Sequence, residues 1–276
     1  VQDIFMTETA EFADVVLPAA TFPEKDGTFT NTERRVQRVR KAMDAPGEAR
    51  TDMDILCDLA GRFGHDWDYD SSADVMDEIS RLVPIYGGMS HDRLDDLGGL
   101  QWPCWDEDHE GTDFLYEEEF NFDDGLARFV PADMGKPGEL PDEEYPLTLT
   151  SGRVLYHWHT GTLTRRVEGL MHHVGESFVE LHPTTAETLG VADGEYVRVS
   201  SKRGDIVVKA QVTDRVGEGV VFIPMHFAAG AVNKLTSERF DPQSGIPEYK
   251  VSSVRLDALG PDPDEEPFDS TALADD

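Results

Sequence analysis

Between residues 145 and 256 the chain carries six short apolar runs, each too short to shield both its faces alone. They lie near 145–150, 177–181, 195–200, 205–213, 219–223 and 251–256. A helical segment at 184–190 (TTAETLG) and a hairpin turn at Lys202, Arg203 and Gly204 punctuate them. Short strands of this kind must close on one another, which predicts a β-barrel over 141–259.

The first of these strands runs into TSGRVLYHWHTGTLTRR, residues 150–166. A strand ending in Ser151 and Gly152 offers free backbone N–H groups, and Arg153 adds a guanidinium that can bind phosphate or carboxylate in bidentate fashion. The stretch reads as an anion cradle, or more plainly as a solvated loop that happens to hold an arginine. His157 and His159, two apart, suit a metal, but no Cys or carboxylate stands at ligand spacing. If the segment is extended, both histidines share one face and Trp158 the other. They read as contacts rather than metal ligands.

The first half of the chain follows an α/β pattern. Residues 1–20 read as a strand end, a Thr-rich turn and a short buried strand, DVVLP, closed by Pro18. The opening residue is not Met and falls within a strand-like segment, so the natural start is expected elsewhere. PEKDGTFTNTERR follows and reads as a loop around Gly27, leading into the one Arg-rich stretch, whose side chains are expected to line an interior. A helix over 49–63 is predicted, with Thr51 as N-cap, an apolar face at Ile55, Leu56, Leu59, Ala60 and Phe63, and Gly64 as its stop. By themselves, Asp3 reads as an N-cap and Asp52 as a partner of the helix dipole. Residues 65–140 are expected to be irregular, with short helices near 73–82 and 92–97 and acidic loops between them.

Charge excludes some functions. Fifty-six acidic against 24 basic residues leave a net charge of −32, spread along the chain, and only seven residues are lysine. Such a surface repels nucleic acid and anionic lipid, so neither is an expected partner, and direct membrane insertion is not expected. It suits a protein screened by high salt, which predicts a halophilic cytoplasm. Cys57 and Cys104 are too few for a disulfide framework and read as reduced and structural. The Pro-rich acidic stretch 260–276 is expected to be a disordered tail.

The wording of 152–166, Gly-Arg-Val-Leu-x-His-Trp-His-Thr-Gly-x-x-Thr-Arg-Arg, resembles the last domain of the molybdopterin-dinucleotide oxidoreductases, the family of formate dehydrogenases, periplasmic nitrate reductases and their relatives. EKDGTFTNTERR-x-Q is similar to the same family, and LGGLQWPC with EDHEGTDFLY resembles its formate dehydrogenases more than its other members. The resemblance implies the end of a Rossmann-like α/β domain over 1–64, an irregular, helical connection over 65–140, and a six-stranded double-psi β-barrel over 141–259.

It also implies a cofactor, a bis-molybdopterin guanine dinucleotide carrying molybdenum or tungsten. Gln2 and Asp3, at the carboxyl end of the first strand, then match dinucleotide contacts, where the fold expects them. Lys25 matches a phosphate contact. Asp52 matches a carboxylate that accepts hydrogen bonds from N1 and N2 of guanine, a donor pair that adenine lacks. Ser151, Gly152, Arg153, His157, His159 and Thr160 match the cradle. Asn233 and Lys250 match two further contacts, although a loop amide and a strand-edge lysine are plainer readings. Met225 stands where relatives carry an aromatic near the substrate channel. The catalytic residues, the metal ligand and a 4Fe-4S cluster are implied upstream, so these residues alone should be inactive. The implied partners are that upstream part, an electron-transfer subunit or acceptor, and formate. A nitrate reductase, or a non-catalytic scaffold subunit of a respiratory complex, are the alternatives.

Overall fold

The structure is a computed structural model that describes residues 1–131 and 135–261. The expected tail lies almost wholly outside them, from residue 262 onward. The chain divides into two compact units, Val1–Val130 and Pro131–Asp276, so the 65–140 stretch is shared between them.

In the first unit, β1 (Gln2–Asp3) and β2 (Leu17–Pro18) pair in parallel around α1 (Glu8–Glu11). The expected buried strand DVVLP is thus shortened to two residues, and Val15 is 62% exposed. A two-stranded parallel ribbon has no layer on its faces to bury such a side chain. The expected loop at PEKDGTFTNTERR is in fact an antiparallel hairpin, β3 (Gly27–Thr30) with β4 (Arg35–Val39).

The helices α2 (Asp52–Arg62), α3 (Ser72–Leu82) and α4 (His91–Leu97) follow, and β5 (Leu100–Gln101) joins the hairpin sheet beside β4. Thr51 caps α2 as its sequence predicts, accepting the Asp54 N–H at 3.1 Å. Of its apolar face only Ile55 and Ala60 are buried, while Leu56 and Phe63 are exposed in this unit. A small core gathers Val36, Met76, Met89, Leu94, Leu100 and Cys104.

The arginines of the hairpin act as struts. Arg34 donates to the carbonyls of Trp102 and Asp113, and Arg35 to those of Gly99 and to the Gln101 side chain. Arg38, 12% exposed, binds the Gly27 carbonyl and Asp95. The hairpin stands on these long-range bonds.

The second unit is a closed six-stranded barrel. Its strands are β6 (Leu147–Gly152), β7 (Phe178–Leu181), β8 (Tyr196–Ser200), β9 (Asp205–Val212), β10 (Val220–Pro224) and β11 (Ser252–Gly260). They close in the order β10-β6-β11-β8-β9-β7. The pairs β10/β6 and β7/β9 are parallel, and the other four are antiparallel. Helices α5 (Glu168–His173) and α6 (Pro183–Leu189) lie between strands in the chain.

Inward residues alternate along β6 as Leu147, Leu149 and Ser151, and the core collects Val179, Leu181, Val197, Val199, Val221, Ile223 and Val254, all at 0% exposure. Each such side chain contributes roughly 1.5–3 kcal/mol by leaving water. Glu139 and Arg203 brace the barrel from outside. Arg203 donates two hydrogen bonds to the carboxylate and two more to the Leu235 carbonyl, while Glu139 also accepts the Ser253 N–H at 3.0 Å.

Candidate functional site

In the first unit, three of the residues expected to bind cofactor meet on one carboxylate. Gln2 ends its side chain there from β1, Lys25 from the turn after Phe22–Glu24, and Asp52 from the first position of α2. Gln2 Nε2 donates to Asp52 Oδ1 at 2.5 Å, and the Lys25 ammonium pairs with Oδ2. Burial works to raise the Asp52 carboxyl, but the hydrogen bonds from Lys25 and Gln2 outweigh it and hold the group below the ordinary carboxylate range. The N-terminal end of the α2 dipole acts in the same direction.

The Asp52 side chain stays 45% exposed. A carboxylate offers about four lone-pair sites, so room remains for a pair of N–H donors. Asp3 is not a helix cap, since Thr7 caps α1. Its Oδ1 accepts the N–H groups of Ile4 and Phe5 at 2.7 and 3.1 Å, which closes the turn at the strand end.

In the second unit, the loop after β6 is bent rather than extended. His159 has φ +49° and Gly161 φ +74°, so the two histidines do not share a face. His157 is 4% exposed. Its Nε2 lies 2.7 Å from the Val174 carbonyl and must carry the proton. Its Nδ1 lies 3.0 Å from the Thr164 hydroxyl, which itself accepts the Trp158 N–H. Both nitrogens are used in holding the loop.

His159 lies outside, with Nδ1 3.3 Å from Arg153 Nη2, and the Arg153 guanidinium stacks 4.9 Å over Trp158. Ser151 donates to the Tyr249 carbonyl at 2.7 Å and Lys250 to the Ser151 carbonyl at 2.5 Å, which ties the 249–250 segment to the loop. Thr160 and Thr162 share a hydroxyl contact at 3.2 Å. Gly152 is needed for close packing, since a Cβ there would stand 2.7 Å from Phe222. Asn233 lies exposed in the turn Val232–Lys234, where its carbonyl accepts the Thr236 hydroxyl. No hydrogen bond among the described residues joins its amide to the loop. Met225 packs against the barrel core, and its N–H donates to the Gly152 carbonyl at 3.0 Å.

Sequence reasoning missed His226. It is fully buried, and its ring joins both ends of the loop's first turn. Its only signal was a place directly after a strand, beside Met225. Beside the loop opens a groove of ≈ 880 Å³ lined by Arg153, Tyr156, Glu180, Lys209 and Arg215, where the Tyr156 ring stacks on His173 at 4.4 Å.

The charge pattern shows what this loop can hold. In a chain at −32, Arg153 and Lys250 have no carboxylate partner among the described residues; their contacts are rings, a histidine nitrogen and a carbonyl. The exposed hydroxyl residue Thr160 follows His159, the partner of Arg153, in the same loop. Such a donor set binds an anion such as phosphate. Among the described residues no cluster of His, Cys, Asp or Glu is arranged to hold a metal, and no helix is long and apolar enough to cross a membrane.

Known proteins extend this reading. The family described as molydopterin dinucleotide binding domain matches residues 147–253, and that described as molybdopterin oxidoreductase matches residues 1–62. An F420-dependent formate dehydrogenase subunit alpha from Methanocaldococcus jannaschii is 45% identical over 261 residues, 94% of this chain and 39% of that protein. The subunit alpha of F420-dependent formate dehydrogenase 2 from Methanococcus maripaludis is 47% identical, over 94% of this chain and 38% of its own length. A putative formate dehydrogenase of Staphylococcus aureus is 41% identical, over 94% and 27%. The chain thus spans less than two fifths of each of these relatives. Among solved structures, acetylene hydratase from Pelobacter acetylenicus matches with a TM-score of 0.65 at 20% identity, covering 92% of this chain and 39% of that one, which is a likeness of fold.

Taken separately, the loop cations of the second unit suit the phosphates of a pterin dinucleotide, and the half-exposed, ionised Asp52 carboxylate of the first unit suits a pair of N–H donors on a base edge. With both family matches, the loop chemistry and relatives at 41–47% identity in agreement, the chain belongs to the molybdopterin oxidoreductase family.

Proposed function

We propose that this chain is the cofactor-clamping, carboxyl-terminal part of the catalytic subunit of a cytoplasmic formate dehydrogenase. The overall reaction takes formate to carbon dioxide, a proton and two electrons. A bis-molybdopterin guanine dinucleotide with molybdenum or tungsten supplies the redox chemistry when bound, and electrons leave through an iron–sulfur centre outside this chain. The observation that carries the clamp is the cationic loop at Arg153 and Lys250, unpaired with carboxylates in a chain of net charge −32. The names of the relatives supply the substrate.

The chain's own residues have distinct tasks in this reading. Arg153, Thr160 and the ammonium of Lys250 take phosphate oxygens, His159 lies against Arg153, and Ser151 and Gly152 fix where the strand ends. His157 holds the loop from below. In the first unit, Asp52 selects guanine through two N–H groups, with Gln2 and Lys25 keeping it charged and oriented. Asp3 shapes the turn beside them, and Asn233 offers an exposed amide. The two expected domain types, a Rossmann-like end and a double-psi barrel, fit the parallel β1/β2 pair and the mixed six-stranded barrel.

The test is anaerobic viologen reduction by the native assembly containing this chain, with formate as sole donor in molar KCl. Formate-dependent reduction is expected. Nitrate-dependent oxidation of reduced viologen without formate activity would move the substrate to nitrate, and silence with both would leave a scaffold.

A further inference from the structure

The buried histidine beside the loop has a fixed chemical state. The Val154 N–H can only donate, and it lies 2.9 Å from His226 Nε2. The His159 carbonyl can only accept, and it lies 2.5 Å from Nδ1. The ring is therefore neutral, with its proton on Nδ1 and a bare Nε2. Its two contacts are five residues apart, on either side of the turn that carries Tyr156, His157 and Trp158. The side chain is 0% exposed and its ring packs at 5.6 Å from His157. Next to it, a Cβ on Gly161 would stand 2.9 Å from the His226 carbonyl, so the same residue's backbone supports the loop's second bend.

Resting on the dinucleotide reading above, we infer that His226 is a positioning residue: one neutral imidazole fixes the spacing of Val154 and His159, and with it the face that Arg153 and Thr160 present to the cofactor. Protonation removes the acceptor on Nε2 and sets two N–H groups against each other, so the turn loosens when the ring gains a proton. Burial resists that charge. The groups that face the ring, His157, Arg153 and His159, resist it too, and together they outweigh the raising effect of the His159 carbonyl. An unfolded imidazole titrates near ~6.5, and the native ring takes its proton at lower pH. The stability it contributes is therefore complete above about pH 6.5 and is lost as pH falls below that value.

The experiment measures cofactor retention in the complete holoenzyme from pH 5 to 8, as molybdenum or tungsten and as guanine nucleotide left on the protein after gel filtration. Wild type is expected to release cofactor about tenfold faster at pH 5 than at pH 7.5, the scale of one lost hydrogen bond. His226→Phe should release it fast at every pH. His226→Asn, which keeps a donor toward the His159 carbonyl, and His226→Gln, which keeps an acceptor toward Val154 N–H, should fall between, with no acid-dependent step. Wild-type retention and an unchanged pH profile in the Asn and Gln variants would overturn the inference, even if the Phe variant fails to fold. Arg153→Ala in parallel separates the two ideas: its loss of cofactor beside intact His226 variants defeats the positioning role alone, whereas its full retention defeats the dinucleotide reading as well.

Discussion

In the proposed reading, Asp52 is prepared for its ligand by contacts within the chain. Its carboxylate already holds an ammonium and an amide, keeps half its lone pairs, and is ionised well into acid. Because the native pKa lies below the unfolded one, the ionised form persists as pH falls toward ~3.9. Asp52→Asn should lower bound guanine nucleotide roughly ten- to hundredfold, since charge-assisted bonds contribute about 1.5–3 kcal/mol each, and metal content should fall with it. Unchanged nucleotide content would remove Asp52 from the site.

Glu139 is the matching case for stability. Burial alone would raise its carboxyl, but Arg203 and the Ser253 N–H hold it below the usual value. Its contribution is therefore present above about pH 4.3 and lost below it. Glu139→Ala leaves a guanidinium 19% exposed without its partner and should cost roughly 3 kcal/mol at pH 7, read by urea unfolding, with the difference from wild type shrinking in acid. At this scale, much of the site was legible only through family wording. Gln2 and Asp52 are 50 residues apart, and nothing local announces that they meet. His226 was invisible because its role lies in two backbone partners, 72 and 67 residues away.

Elements were read more easily where the pattern is local. The six barrel strands fall within a residue or two of expectation, apart from the last, which runs on to Gly260, because alternation and turn residues mark them. The helices α2, α3 and α4 carry their caps in sequence, at Thr51, Ser71 and Ser90. The β3/β4 hairpin escaped because its single buried apolar residue, Val36, leaves little alternation, and its support comes from arginines reaching carbonyls more than 60 residues away. The bend at His159 escaped because its left-handed backbone is not written in a histidine. Gly152→Ala tests the packing of β6 against β10. With Phe222 2.7 Å from the added carbon, the barrel should lose about 1–3 kcal/mol by denaturant titration, and no loss would show that the ring swings aside freely.

Over the whole chain, acidity dominates. A charge of −32 in 276 residues repels itself, and the screening length shortens from about 10 Å at 0.1 M salt to about 3 Å at 1 M. The thermal midpoint should therefore rise by about 5 °C or more between 0.1 and 2 M KCl, while a midpoint that stays level would remove the case for a high-salt cytoplasm. Against this background Arg153 and Lys250, without a carboxylate partner among the described residues, are the cations of the proposed clamp, and its most direct test is chemical. Acid hydrolysis of the native assembly should release about two guanine nucleotides per copy of this chain. Release of no guanine nucleotide would contradict the account.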